Sequence, residues 1–353
     1  MVTRRIGLFS VWLVTPADGM EDQKTGGIAL DTGAHRELVA SLGIQTGMAG
    51  FCALSSVLRQ DFRMQDIMLW IEPQAGVAPI VHFIERAHKQ LDINAYLLTD
   101  RRVLRAMRAA VQRGVRVRVI IDRHPYGDRP AAELGRIRQT GAQLRFPPGR
   151  FARPYVFDHA KYMVSGHALE IGSANFTWST FHRDRDYIWT TRTPGLVSAA
   201  RAVFDADWHD RRAGAAVRDR LVVSPGATTD LVQAISQPGR VCIESEEMGH
   251  DRGIVKALSK KGRLARVVLP AHLDRFDRRV AKWLVRAGVR VRYLHTPLMH
   301  AKLVAGDGIV YMGSQNFTWS SLNRNRELGV FLPGQVGAQA RARCERDWAH
   351  ATP

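Results

Sequence analysis

The sequence predicts an α/β fold made of two pseudo-symmetric α/β/α sandwich halves, each built around a mixed β-sheet. Three observations lead to this prediction. Segments with the apolar spacing of helices alternate with short apolar strands, and this order of segments occurs twice. The chain has 353 residues, enough for two domains with substantial cores. We place the halves at residues 69–213 and 214–353, after an N-terminal extension of residues 1–68.

Regular structure in the first half is expected to begin with the apolar run MLWIEP at residues 68–73. A helix with Pro79 in its first turn follows, because proline is tolerated there and the later apolar residues keep helical spacing. Strands and helices then alternate. The predicted strands are at residues 93–98, 115–121 and near 144, and the predicted helices at 103–111 and 131–139, which end at Gly114 and Gly141.

The second half repeats this order. Its predicted helices are at residues 229–236, 254–259 and 278–287, and its strands at 241–244, 265–269 and 289–293. Each half closes with a strand, at 187–191 and 328–332, and a helix that ends in Asp-Trp, at 207–208 and 347–348. Residues 211–229 are rich in small side chains and are interpreted as the linker between the halves.

One stretch carries chemistry, and it occurs twice. Residues 299–318 read MHAKLVAGDGIVYMGSQNFT, and residues 158–177 read DHAKYMVSGHALEIGSANFT. Matching positions are 141 residues apart: His159 and His300, Lys161 and Lys302, Gly172 and Gly313, Ser173 and Ser314, Asn175 and Asn316, Trp178 and Trp319, Asp186 and Glu327. A repeated fold explains repeated apolar residues, but a core does not require repeated imidazole, ammonium, hydroxyl and carboxamide groups. These groups together suit a phosphate.

The repeated stretch resembles the phospholipase D superfamily, whose motif is His-x-Lys, four residues, Asp, and then Gly-Ser-x-Asn. The second copy fits it fully, with Asp307 at the aspartate position. The first copy departs once, since Gly166 stands where the family has Asp. The resemblance covers roughly Leu69 to the C-terminus. The family includes phospholipases, cardiolipin and phosphatidylserine synthases, endonucleases and tyrosyl-DNA phosphodiesterases, so the resemblance implies a reaction type more firmly than a substrate.

Phosphodiester cleavage requires charge neutralisation, an attacking atom and a proton for the leaving oxygen. Lys161 and Lys302 suit the first task, and Asn175 and Asn316 donate hydrogen bonds without adding charge. One imidazole attacks phosphorus and the other protonates the leaving oxygen, then activates water or an alcohol. The resemblance implies that the nucleophile is in the N-terminal copy. It therefore assigns His159 as the nucleophile of a phosphohistidine mechanism and His300 as the acid.

Other residues are assigned supporting roles. The resemblance implies that Asp186 and Glu327 each bond an imidazole and fix its tautomer, as the aspartate of a catalytic triad does. Ser173 and Ser314 either donate to the substrate or support the turn after each glycine. Gly172, Gly313 and Asp307 are expected to support the two hairpins. Extra residues before His159 form a loop whose Arg150 and Arg153 are predicted to contact substrate, the alternative being a surface excursion without a role.

The formal net charge of +18 and a pI near 10.6 suggest a polyanionic partner, either an anionic phospholipid or a nucleic acid. The alternative is a solvated basic surface. Contact with a membrane would be peripheral, because no convincing transmembrane segment occurs. No metal or cofactor is expected, since the paired His, Lys and Asn residues cover every role. We expect a monomer, because one chain carries both half-sites.

The N-terminal extension has Arg4 and Arg5 before the apolar residues 6–14, a weak signal-like pattern without a clear cleavage site. A cytoplasmic protein is favoured; a periplasmic or secreted one would follow if this segment directs export. The three cysteines contain no CxxC pair, which excludes a zinc-ribbon pattern and a disulfide-dense scaffold. Cys242 lies in a predicted buried strand and is interpreted as a small hydrophobic residue.

These observations favour a phospholipase D-like phosphodiesterase with one site between its halves, and a phospholipid headgroup as substrate. Metal-independent cleavage of nucleic acid and phosphatidyl transfer of the cardiolipin synthase type are the alternatives. A non-catalytic polyanion-binding protein is disfavoured, because binding alone does not require a second histidine.

Overall fold

The computed structural model describes residues 68–125 and 131–353, and the backbone of two N-terminal strands, β1 (Val2–Ile6) and β2 (Phe9–Leu13). β1 and β2 pair antiparallel, with Val2 opposite Leu13. Residues 14–67, which make up most of the expected extension, lie outside the described residues. They include the sequence that follows the signal-like pattern. Residues 62–353 form a compact unit separate from residues 1–61.

The first half contains a seven-stranded sheet with the order β3-β10-β8-β7-β4-β5-β6. β4, β5 and β6 run parallel to one another, and the other neighbours are antiparallel, so the sheet is mixed. A short strand, β9 (Asp184–Arg185), lies outside it. The strands of the sheet are β3 (Leu69–Ile71), β4 (Gln90–Ala95), β5 (Arg116–Ile121), β6 (Gln143–Arg145), β7 (Tyr162–Ser165), β8 (Ala168–Gly172) and β10 (Tyr187–Thr191).

The second half repeats this sheet with the order β11-β18-β17-β16-β12-β13-β14, the same sequence of neighbours. Its strands are β11 (Val222–Ser224), β12 (Val241–Ser245), β13 (Ala265–Pro270), β14 (Arg290–Leu294), β16 (Lys302–Ala305), β17 (Val310–Gly313) and β18 (Glu327–Phe331), with β15 (Leu298–Met299) outside the sheet. The predicted α/β fold of two pseudo-symmetric halves with mixed sheets is therefore confirmed.

Several helices begin at a residue that suits a helix N-terminus. Asp100, Asp251 and Asp274 each accept hydrogen bonds from backbone N–H groups of the first turn that follows, and Pro79 lies in the first turn of α1. The helices are α1 (Ala78–Glu85), α2 (Arg101–Gln112), α3 (Ala131–Arg138), α4 (Pro194–Trp208), α5 (Thr228–Ser236), α6 (Arg252–Lys261), α7 (Arg275–Arg286), α8 (Trp319–Asn323) and α9 (Gly334–His350).

The core has three parts. One cluster packs beneath α1 and α2, and a second beneath α5 and α6. A third cluster is shared by the halves and contains apolar side chains of α4 and α9 together with residues of both sheets, including Tyr162, Trp189, Leu303 and Leu328. The order of layers is thus helices, sheet, α4 and α9, sheet, helices. Because one hydrophobic core is shared by the halves, they are not two independently packed domains joined by a linker.

Two sequence interpretations need correction. Residues 211–229, interpreted as a linker, contain β11, which is buried and forms the edge of the second sheet against β18. Cys242 is buried as expected, but it forms a disulfide with Cys344 of α9. The partners are 102 residues apart, so no local spacing revealed the pair. The bond fastens β12 to the helix that packs on it.

Among the described residues, two buried arginine–aspartate pairs cross between the halves. Arg185 of β9 donates to Asp347 of α9 at 2.6 Å. Arg326 donates to both carboxylate oxygens of Asp207, at 2.7 and 2.9 Å, at the end of α4. Both arginines and both aspartates are at most 5% exposed. The Asp of each Asp-Trp pair therefore anchors an arginine of the opposite half.

We expect Asp207→Asn to lower the free energy of unfolding by about 3–5 kcal/mol, because it leaves the Arg326 guanidinium buried without its counter-charge. Urea unfolding followed by circular dichroism measures the loss.

The matched control is Asp210→Asn, which removes a surface carboxylate that pairs with Arg150 and is 73% exposed. Its cost should stay below about 1 kcal/mol. Equal losses in the two variants would contradict the importance of the crossing pair.

Candidate active site

Short backbone contacts between the halves place the two histidines. β15, just before His300, pairs in parallel with β9 of the first half, and His300 N donates to the Arg185 carbonyl at 3.2 Å. Asp158 forms the corresponding bridge to Arg326, and His159 N donates to the Arg326 carbonyl at 2.8 Å. Each histidine therefore lies beside the residue that precedes the acidic residue of the opposite half.

The acid–histidine pairs cross between the halves as well. His159 Nδ1 lies 3.0 Å from Glu327 Oε2, and His300 Nδ1 lies 2.9 Å from both carboxylate oxygens of Asp186. Both acids are fully buried, and both histidines are 8% exposed. A carboxylate at Nδ1 fixes the tautomer in which Nδ1 carries a proton, so Nε2 is left for chemistry. The sequence identified all four residues but not that each acid serves the other half's histidine.

The lysines are buried beside the histidines. Lys161 Nζ donates to the His159 carbonyl at 2.7 Å, and Lys302 Nζ donates to the His300 carbonyl. Burial, together with Lys302, lowers the pKa of Lys161 to about 7, although Glu327 opposes this shift. Lys302 also bonds the Glu246 carboxylate at 2.6 Å. The site therefore holds two buried lysine amino groups, of which that of Lys302 is bonded to a carboxylate.

Asn175 and Asn316 enter from equivalent positions, each 6% exposed. Asn175 Nδ2 lies 3.5 Å from His300 Nε2. The Oδ1 atoms of both asparagines are buried without a hydrogen-bond partner in the described part of the chain. Buried amide groups normally have partners, so these two fit a site that receives a polar ligand.

The two imidazoles differ in charge preference. Burial lowers the pKa of His159 below its usual range, although Glu327 acts in the opposite direction. For His300, burial also favours the neutral ring, but Asp186 and Glu246 outweigh it and raise the pKa above its usual range. His159 is therefore suited to be a neutral nucleophile and His300 to be a proton donor.

The serines and glycines have supporting positions. Ser173 Oγ donates to Asp186 at 2.6 Å, and Ser314 Oγ donates to the Leu328 carbonyl at 3.3 Å. Because these hydroxyl protons have protein acceptors, the contacts favour support of the turn over donation to substrate, and the roles of both serines remain predictions. A side chain at Gly172 would lie 2.1 Å from the Tyr187 carbonyl oxygen, and one at Gly313 would lie 2.6 Å from Gly329 Cα. Both glycines thus allow close approach of neighbouring strands.

The remaining predicted residues lie further out. The Arg150 guanidinium donates to Asp207, Asp210 and the Arg211 carbonyl, which favours a structural role for this arginine; its contact with substrate remains a prediction. Arg153 is exposed, and its role remains a prediction. Asp307 forms an exposed ion pair with Arg341 of α9, and its support of the hairpin remains a prediction.

The side chain of Gln237 forms hydrogen bonds with the backbone of the hairpin in the second half. Its side-chain oxygen accepts from Gly308 N at 3.0 Å and from Ile309 N at 2.8 Å, and its amide nitrogen donates to the Ile309 carbonyl. The family motif does not include this residue.

Sequence reasoning missed two residues that follow the central strands, Tyr96 after β4 and Glu246 after β12. The Tyr96 ring lies 4.6 Å from the His159 ring, and Glu246 contacts Lys302 and His300. The usable signal was positional: a strand that pairs with the His-x-Lys strand ends beside the site. Among the described residues, no group of three or more His, Cys, Asp or Glu is placed to hold a metal ion. No described helix is long and apolar enough to cross a membrane.

Comparisons with known proteins agree with this geometry. A family model described as "Cardiolipin synthase, PLD-like domain" matches residues 80–208 and again 243–348. The mitochondrial cardiolipin hydrolase of Xenopus laevis is 26% identical over 125 residues, 35% of this chain and 57% of that protein. The 5'-3' exonuclease PLD3 of Bos taurus is 25% identical over 147 residues, 37% of this chain and 30% of that protein. The chain thus spans less than two thirds of either relative.

Among solved structures, the phosphatidylserine synthase of Haemophilus influenzae Rd KW20 superposes with a TM-score of 0.62 at 12% identity. The superposition covers 82% of this chain and 87% of that chain, and at this identity it shows a shared fold. The family model matches both halves, each with its own His-x-Lys and Gly-Ser-x-Asn residues. The chain therefore belongs to the phospholipase D superfamily, with two phospholipase D-like domains in one polypeptide.

Proposed function

We propose that the protein hydrolyses the headgroup phosphodiester of a phospholipid through a phosphohistidine intermediate, with His159 as nucleophile and His300 as general acid and base. One observation carries the proposal: each buried imidazole is bonded at Nδ1 by a carboxylate of the opposite half, which leaves Nε2 as the reactive atom. The lysines and asparagines beside them supply charge and hydrogen bonds for a phosphate.

In the first step, the Nε2 lone pair of neutral His159 attacks phosphorus. The bond from phosphorus to the leaving oxygen breaks, and that oxygen takes the Nε2 proton of His300. Lys161 and Lys302 stabilise negative charge on the non-bridging oxygens. Glu327 stabilises the positive charge that develops on the His159 ring, because its carboxylate accepts a hydrogen bond from Nδ1–H.

In the second step, His300 is neutral and takes a proton from water. The water oxygen attacks phosphorus, the bond between phosphorus and Nε2 breaks, and its electron pair returns to His159. His300 is then protonated again and the site is restored. An alcohol in place of water would give phosphatidyl transfer by the same two steps. The activity test described below can therefore reveal transfer as well as hydrolysis.

The surface around the motifs favours a lipid. Trp178 and Trp319, each three residues after a site asparagine, are both 51% exposed. Leu298, two residues before His300, is 45% exposed, and Tyr155, four residues before His159, is 82% exposed. Tryptophan and tyrosine suit the membrane–water interface, because their rings combine an apolar body with a polar group. The cardiolipin hydrolase among the relatives supports the same substrate class.

Cleavage of single-stranded nucleic acid is the second candidate. The net charge of +18 and the exonuclease among the relatives favour it, and exposed tryptophans also stack on bases. Turnover of phosphatidylglycerol vesicles, single-stranded DNA, duplex DNA and RNA by the full chain, compared under identical conditions, tests the choice. Headgroup release from vesicles supports the proposal. Cleavage of nucleic acid alone would replace it by the second candidate.

Replacing the exposed tryptophans should separate membrane contact from chemistry. We expect Trp178→Ala and Trp319→Ala each to weaken vesicle binding about tenfold, since burial of a large apolar side chain contributes about 1.5–3 kcal/mol. Turnover of soluble bis(nitrophenyl) phosphate should be nearly unchanged. Vesicle co-sedimentation and nitrophenol release measure the two effects.

The control is Trp283→Ala on α7, where a tryptophan of similar exposure, 46%, lies outside the repeated motif. If this variant loses vesicle binding as strongly as the other two, the motif tryptophans have no special role.

The roles of the two histidines can be separated with a good leaving group. With bis(nitrophenyl) phosphate, His300→Ala should accumulate a covalent adduct on His159, because the leaving oxygen hardly needs a proton but the second step still needs a base. His159→Ala should form no adduct. Acid quenching followed by mass spectrometry identifies the modified residue.

His209→Ala, at the exposed end of α4, is the control and should turn over like the parent protein. An adduct on His300 in the His159→Ala variant would reverse the assignment. Absence of an adduct in every variant would argue against covalent catalysis.

Lys161 provides a test of the phosphate site by proton uptake. Its pKa of about 7 leaves it largely neutral at pH 8, and a bound dianion should raise that pKa and draw in a proton. We therefore expect uptake when inorganic phosphate binds at pH 8. Calorimetry in buffers of different ionisation enthalpy measures it.

The Lys161→Arg variant keeps the positive charge but cannot gain a proton, so the uptake should fall. An unchanged uptake in this variant would show that Lys161 is not the group that titrates.

A further inference from the structure

The two halves differ in charge at one position beside the reacting atoms. β4 and β12 are the central strands that pair with the strands following each His-x-Lys, and Ser245 lies opposite Lys302 in this register. Asn94 lies opposite Tyr162, so the next position, Ala95, corresponds to Ser245. The residues that follow, Tyr96 and Glu246, therefore occupy equivalent places in the pseudo-symmetric site. One is a phenol and the other a carboxylate.

Tyr96 gives the first half an aromatic wall. Its ring meets the His159 ring edge-on, with 4.6 Å between centroids, and Lys161 Nζ lies 5.2 Å from the ring centre. These contacts pack against the nucleophile without placing a negative charge beside it. The environment therefore favours the neutral imidazole that attack on phosphorus requires.

Glu246 gives the second half a charged wall. One oxygen, Oε2, lies 2.6 Å from Lys302 Nζ and 3.5 Å from His300 Nε2. Nε2 is the atom that donates the proton in the proposed reaction. Burial works against the charged carboxylate, but His300 and Lys302 hold the pKa of Glu246 below its usual range, so it is ionised. The negative charge of Glu246 thus lies beside Nε2 of His300, the nitrogen that donates the proton.

Several other groups face His300, and most have a counterpart in the first half. Asp186 corresponds to Glu327, Lys302 to Lys161, and Asn175 to Asn316. The remaining charged neighbour is Asp184, whose equivalent is Asn325. Asp184 accepts a hydrogen bond from Ser179, and burial raises the pKa of its carboxyl. Because its pKa is raised whereas that of Glu246 is lowered, Asp184 influences His300 less strongly than Glu246 does.

We propose that Glu246 assigns the two chemical roles: its carboxylate keeps His300 Nε2 protonated in the resting site, so His300 becomes the acid and His159 the nucleophile. This inference rests on the proposed function for the names of the roles. Glu246 acts through His300 and Lys302 and is a positioning residue. A substrate oxygen that approaches Nε2 replaces Glu246 Oε2 as the neighbour of the Nε2 proton.

Titration of the histidines in the free protein tests the inference without any substrate. We expect the pKa of His300 to fall by at least about one unit in Glu246→Gln, a tenfold loss of proton affinity, while that of His159 changes less. NMR of histidine-labelled protein measures both, with His300→Ala and His159→Ala for assignment. In turnover of a substrate with a poor leaving group, the alkaline limb of kcat should move to lower pH by a similar amount.

Asp184→Asn is the matched control, because it makes the second half resemble the first at the other charged position. It should shift the pKa of His300 less than Glu246→Gln does. A larger shift in the control, or no shift in Glu246→Gln, overturns the inference. If Glu246→Gln does not fold, Glu246→Asp withdraws the carboxylate by one methylene and should lower the pKa of His300 by a smaller amount; an unchanged value there also overturns it.

The titration separates this inference from the proposed function. A lowered pKa of His300 together with absent phosphodiester turnover would refute the function and leave the control of His300 by Glu246 intact. Normal turnover with an unshifted pKa of His300 would support the proposed function and refute the control of His300 by Glu246.

Discussion

The crossing of two dipeptides between the halves is the constraint on which the site depends. Arg185 and Asp186 are adjacent, as are Arg326 and Glu327, and each pair sends both side chains into the opposite half. The arginine reaches a buried aspartate at the end of a central helix, and the acid reaches a histidine. Neighbouring residues in extended backbone point to opposite sides, so one short segment can make both contacts. In the described structure, the carboxylate at Nδ1 of each site histidine comes from the opposite half.

The scaffold is symmetric, but the chemistry is not. Repeated elements bring two histidines, two lysines and two asparagines together, and equal groups would divide the work equally. The site departs from equality where Tyr96 faces His159 and Glu246 faces His300. The acids differ as well. Asp186 presents both oxygens to His300, whereas Glu327 uses one for His159 and gives the other to Ser321 and Asn325.

The repeat allowed much of the fold and the paired residues to be predicted, because apolar periodicity and a constant separation of 141 residues are properties of the sequence. The missing parts depend on three-dimensional proximity. The sequence does not show that Asp186 reaches His300, since they are brought together by pairing of β9 and β15. The same holds for Cys242 and Cys344. The contact of Arg150 with Asp207 could not be predicted either, because a loop arginine near a site has the same sequence pattern whether it meets substrate or a protein carboxylate.

The presence of both halves in one polypeptide has a consequence for how the site diversifies. In an assembly of two identical halves, any substitution would appear on both sides of the twofold axis, and a glutamate beside one histidine would also stand beside the other. Covalent fusion removes that coupling, because each half is encoded separately and mutates separately. Tyrosine at position 96 and glutamate at position 246 are a combination that two identical halves cannot present. Fusion thus turns a shared site into one whose two sides can be selected for different tasks.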